Sequence, residues 1–138
     1  MSENILDEPK IFEELRKKSG SVKENDVDKV LSAEVKTKEK AEKLNPNVFS
    51  KLFNQLTLAY EMIKDFKAKR YRDLPWRTIT LITVAILYFI NPLDIIPDLL
   101  PVIGFSDDAI AFASIFRSVQ GDLMKYCEWK GYNPNKYF

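Results

Sequence analysis

From Asn45 onward the apolar residues fall into three helical stretches, and the character of the polar faces differs in each. In the first, Phe49, Leu52, Phe53, Leu56, Tyr60, Ile63 and Phe66 follow a single stripe to about Tyr71, the pattern of a helix with one buried face. Asn45-Pro46 opens it, with asparagine as cap and proline at the first helical position. Asp73-Leu74-Pro75 then breaks the chain, and Asp73 is placed to cap a second helix starting at Pro75 or Trp76. This helix, ending near Ile90, is apolar on nearly every face, so it is expected to be enclosed by protein or by lipid. A third helix is expected from Ser106-Asp107-Asp108 to about Trp129, with Ala109, Ile110, Phe112, Ala113, Phe116, Val119, Leu123 and Tyr126 as its apolar positions. Gly131 is a natural stop, and Asn133-Pro134 follows it.

Before Asn45 the pattern thins. Residues 1–45 carry 21 charged side chains, 11 acidic and 10 basic, with Phe12 as the one aromatic. Such a segment cannot build a core of its own. Ile11, Phe12 and Leu15 make one short apolar set, and Val27, Val30, Leu31 and Val35 make a second, separated by Ser19-Gly20-Ser21. Two short helices on the surface, or a partly disordered arm, are expected. The organisation read from sequence is therefore a charged arm over residues 1–45 and a helical domain over 46–138. Without strand alternation, the fold class is all-α, a small bundle of three principal helices.

Composition narrows the chemistry. The chain has 138 residues, which fits one domain. It lacks histidine, which removes Ser-His-Asp and Cys-His catalysis and imidazole zinc sites. Cys127 is the single cysteine, so no internal disulfide forms. A net charge of +1 argues against nucleic acid as a partner. The opening residues, Met1 to Glu8, lack the basic and apolar regions of a signal peptide.

Charge is locally uneven. Lys64, Lys67, Lys69, Arg70, Arg72 and Arg77 cluster just before the apolar second helix, against only Asp65 and Asp73. A basic flank beside an apolar run, with Trp76 at the junction, suits the anionic cytoplasmic face of a membrane. The uncharged run Thr78–Leu93 is 16 residues long, short of the roughly 20 needed to span. Two settings for it remain open: the buried centre of a soluble cytoplasmic bundle, or a membrane-attached helix, one form of which is half of a shallow hairpin with the third helix.

Between the second and third helices lie Pro92, Pro97 and Pro101 with Asp94, Asp98, Asp107 and Asp108. Each aspartate has a capping or helix-dipole role open to it, and the prolines stiffen the crossover. The same carboxylates, Asp94, Asp98, Asp107 and Asp108, also offer the oxygen ligands preferred by Mg²⁺ or Ca²⁺, and a metal-dependent hydrolytic site is the alternative reading. The spacing is not that of an EF-hand.

Arg72-Asp-Leu-Pro-Trp76 followed by Ala85 through Asp108 resembles the YkvA-like family, a domain of unknown function. The signature positions are Pro92, Asp94, Pro97, Asp98, Pro101, Gly104, Asp107 and Asp108, and the resemblance covers about Tyr60 to Trp129. It implies a small helical domain, often membrane-associated, found alone in bacteria or fused to other modules, with no established activity, substrate or cofactor. Together these features favour a non-enzymatic module that meets an anionic membrane surface or a protein partner.

Overall fold

The computed structural model describes residues 8–44, 46–91 and 105–138. Among them there are helices and no strands: α1 (Glu8–Ser19), α2 (Glu24–Ser32), α3 (Glu34–Glu42), α4 (Pro46–Phe49), α5 (Leu52–Lys67), α6 (Trp76–Ile90), α7 (Phe105–Ser118) and α8 (Gln120–Lys130), then a 3₁₀ turn, Pro134–Lys136. The chain is all-α, as its periodicity requires.

The centre of the bundle is α6. Eleven of its 15 residues are buried, and it packs against α7 on one side and α1, α2 and α3 on others. Phe89 of α6 stacks on Phe112 of α7 with centroids 4.3 Å apart and planes 10° from parallel. The stripe of α5 turns to α3 and α8. The wrapping of the apolar helix is therefore done largely by the charged N-terminal segment, whose few apolar residues are spent on it. Leu15, Val27 and Val30 are at most 1% exposed, and Ala41 is also buried.

Four boundaries differ from the sequence expectation. The second apolar set of the arm divides at Ala33 into α2 and α3. That turn resets the register, so Val27 and Val30 point inward while Val35 is 71% exposed. The expected single helix from Ser106 to Trp129 breaks at Val119, where φ is −106° and ψ 12°. Its two parts serve different neighbours: α7 lies on α6 and α1, α8 on α5. It also starts at Phe105, which puts Ser106 inside the helix. The first apolar helix is interrupted after Phe49, and α5 begins at Leu52.

The termini of α6 fall at Trp76 and Ile90 as the pattern predicts, but Asp73 does not cap it. Pro75 occupies the cap position without a side-chain bond, and Asp73 instead pairs with Lys125 of α8 at 3.0 Å. Gly131 ends α8 at φ 77°. Beyond it the chain is strapped to α5: Asn54 Nδ2 donates to the Lys136 carbonyl (3.1 Å) and Gln55 Nε2 to that of Tyr137 (2.7 Å).

Candidate functional site

The basic cluster falls at the turn between α5 and α6. The C-terminus of α5 closes as a two-bond αL cap. Lys69 N–H donates to the Phe66 carbonyl (3.0 Å) and Arg70 N–H to that of Asp65 (2.9 Å), the pattern that normally places glycine at the left-handed position. Here that position is Lys69, with φ 67°, the one non-glycine residue of positive φ among the described residues. A side chain there costs on the order of 1 kcal/mol relative to glycine, so the turn is held by its surroundings.

Asp65 supplies the hold. Its side chain is buried, and it binds Arg70 through Nε at 2.9 Å and Nη2 at 2.7 Å, both to Oδ1. The Tyr126 hydroxyl donates to Oδ2, and Lys130 Nζ lies 3.6 Å from the same oxygen. Burial alone would raise this carboxyl. The Tyr126 hydroxyl, then Arg70 and Lys130, outweigh that and hold it below its ordinary value. The same contact, with burial as the larger cause, pushes the Tyr126 phenol up. Tyr71, buried beside this node, meets Tyr126 edge-on at 5.0 Å and Trp129 at 4.9 Å. The whole turn is thus pinned to α8.

Around this anchor the six basic residues separate into two groups. Lys64 pairs with Glu34 at 2.5 Å, Lys67 with Glu24 at 2.8 Å and Asp28 at 3.1 Å, and Arg70 with Asp65. Glu24 and Asp28 raise the Lys67 ammonium above its usual value. Lys69, Arg72 and Arg77 are exposed and have no ion-pair partner among the described residues. Arg72 borders two depressions, one of about 450 Å³ walled by Tyr71, Lys125 and Trp129, the other of about 410 Å³ walled by Phe66, Lys67 and Lys69.

Exposed apolar surface gathers at the same end. Trp76 is 42% and Trp129 52% exposed, and Met124 of α8 is also open. Thr78 Oγ1 donates to Asp122 Oδ2, and this bond with the Asp73–Lys125 pair lays residues 73–78 along α8. The sequence reading found Trp76 but missed Trp129, Met124 and the Asp65–Tyr126 anchor. The spacing of Asp122, Lys125 and Trp129 on one face of α8 was a readable signal for the first of these; the anchor, joining residues 61 positions apart, had none.

Asp107 and Asp108 lie in the first turn of α7. Pro92, Asp94, Pro97, Asp98, Pro101 and Gly104 lie outside the described residues. Among the described residues no group of three or more His, Cys, Asp or Glu is placed to hold a metal, and no helix is long and apolar enough to cross a membrane.

The chain matches a family model described as "Protein of unknown function (DUF1232)" over residues 78–113, which run from α6 into α7. It is 35% identical over 80 residues to "Uncharacterized membrane protein YkvA" of Bacillus subtilis, an alignment covering 58% of this chain and 76% of that protein. No solved structure matches. With that identity over three quarters of the relative, the chain belongs to the YkvA-like family of proteins of unknown function.

Proposed function

We propose that the protein is a non-enzymatic module that docks onto the anionic, cytoplasmic surface of a membrane through the basic turn between α5 and α6. The observation that carries this reading is the sharing of one end by three unpaired cations and two exposed tryptophans: Lys69, Arg72 and Arg77 with Trp76 and Trp129. Cations near such a surface each contribute about 1 kcal/mol, and tryptophan is the side chain suited to the headgroup level. Lys69 strengthens the argument, because a lysine occupies a backbone position that favours glycine. The relative's printed name, a membrane protein, agrees with this setting.

Co-sedimentation with vesicles containing phosphatidylglycerol tests it. Binding is expected at low salt, falling as salt screens the charges, and absent on phosphatidylcholine alone. Neutralising Lys69, Arg72 and Arg77 to glutamine should weaken binding by roughly 100-fold, the equivalent of about 3 kcal/mol. A wild-type protein that stays in the supernatant at low salt would refute the reading.

A further inference from the structure

The helix at the centre of the bundle and the helices that wrap it are chemically mismatched. α6 carries no charge beyond Arg77, whereas α1, α2 and α3 come from the most charged segment of the chain. Their apolar contribution is limited to a few residues: Leu15, Val27, Val30 and Ala41 are buried, and Phe12 and Leu31 pack partly buried against the same core. What fastens the rim of α2 and α3 to α5 is largely electrostatic. Glu24 and Asp28 of α2 hold Lys67, and Glu34 of α3 holds Lys64. Two direct bonds add to these: the Tyr60 hydroxyl donates to the Val30 carbonyl at 2.9 Å, and the Lys40 ammonium donates to the Phe89 carbonyl. Lys64 and Lys67 belong to the basic surface assigned to membrane docking, and the arm's carboxylates neutralise both.

We infer that the arm is a releasable cover: on an anionic membrane, lipid phosphates replace Glu24, Asp28 and Glu34 on Lys67 and Lys64, α1–α3 detach, and the α6–α7 pair lays its uncovered apolar face among the acyl chains. This rests on the docking reading and adds its regulation. Ion pairs with partly exposed members are weak and screened, while a phosphate surface presents many competing anions at close range. Release in water would expose α6 to solvent. Release at a membrane transfers it to hydrocarbon instead, so the hydrophobic penalty falls on the arm's few apolar residues alone. A helix of 15 residues is too short to span, but its backbone bonds are internal and it can lie in the interface plane. Docking alone is salt-sensitive, whereas apolar insertion survives high salt, and this difference is the readout.

In a Cys127→Ser background, Glu24→Cys and Lys67→Cys are joined by a cleavable bis-maleimide, and the same sample is floated with phosphatidylglycerol vesicles before and after cleavage. A second protein carries Glu24→Lys, Asp28→Lys and Glu34→Lys. Each is bound at low salt and then washed at about 1 M salt, where the Debye length is about 3 Å. The linked protein should wash off completely, while the cleaved and charge-reversed proteins remain, the latter binding at least tenfold more tightly. Hydrogen exchange should show α2 and α3 losing protection on vesicles while α6 keeps it. If linked and cleaved proteins wash off alike and the arm stays protected, the cover is refuted and surface docking stands. If wild type does not bind but the charge-reversed protein holds through the wash, docking by the basic turn falls and release by lipid phosphates falls with it: the arm covers α6, but an anionic surface does not displace it. No binding by any form overturns both.

Discussion

Lys69 and Asp65 sit four residues apart and set opposite terms in the same turn. Lys69 takes a left-handed conformation that glycine adopts more cheaply. Lys69→Gly should therefore raise stability by about 1 kcal/mol, seen as a higher thermal midpoint, and weaken binding to anionic vesicles about fivefold through the lost cation. Lys69→Gln separates the effects: the affinity falls and the midpoint stays. Asp65 offsets the strain by fixing Arg70 and Tyr126. Its folded carboxyl titrates below the ordinary aspartate value, so its contribution is complete above that ordinary value and is lost as pH falls below it through the folded pKa. Tyr126→Phe removes the first of the bonds that lower it and leaves a buried carboxylate oxygen with one donor fewer. The cost expected is about 1–3 kcal/mol, with acid unfolding, followed by near-ultraviolet circular dichroism, beginning at higher pH than in wild type.

Helices with one strong signal were legible, and helices shaped by their neighbours were not. α6 begins and ends where the flanking residues predict, because Pro75 and Asn91-Pro92 punctuate the chain locally. Gly131 stops α8 for the same kind of reason. The break at Val119 had no such mark, since Ala113, Phe116, Val119 and Leu123 read as one stripe; it arises from two separate packing partners. Asp73 and the split at Ala33 were likewise decided in three dimensions, by Lys125 and by the surface of α6. Of the site, the six cations and Trp76 were visible as a cluster. Which of them are neutralised depended on Glu24, Asp28 and Glu34, brought from an arm whose charge density masks its packing role. That role is open to test at the level of a single helix. Leu15 of α1 is fully buried, so Leu15→Ala should destabilise by about 2–5 kcal/mol, measured from urea midpoints. A change within about 0.5 kcal/mol, as for a surface site, would mean that α1 merely rests on the bundle.

At the scale of the whole molecule the question is how a near-neutral chain of 138 residues keeps a helix as apolar as α6 out of water. α7 covers one side, and α5 packs chiefly on α3 and α8. Among the described residues the enclosure therefore closes only with α1, α2 and α3. This makes the boundary near residue 45 a change of composition across which a single core continues. A chain starting at Asn45 keeps the segment that defines the family but loses the cover, leaving an apolar face of α6 and the inner face of α7 open. Exposed contiguous apolar surface of this kind leads to association or to partition into lipid. Residues 45–138 alone should elute as aggregate without detergent and as a small helical species with it, and should bind phosphatidylglycerol vesicles in a form that high salt does not remove. Size-exclusion chromatography with and without detergent decides the matter. A monodisperse, detergent-free monomer that unfolds cooperatively would show that α5, α7 and α8 rearrange to enclose α6 by themselves, and the arm would then have no part in holding the apolar helix out of water.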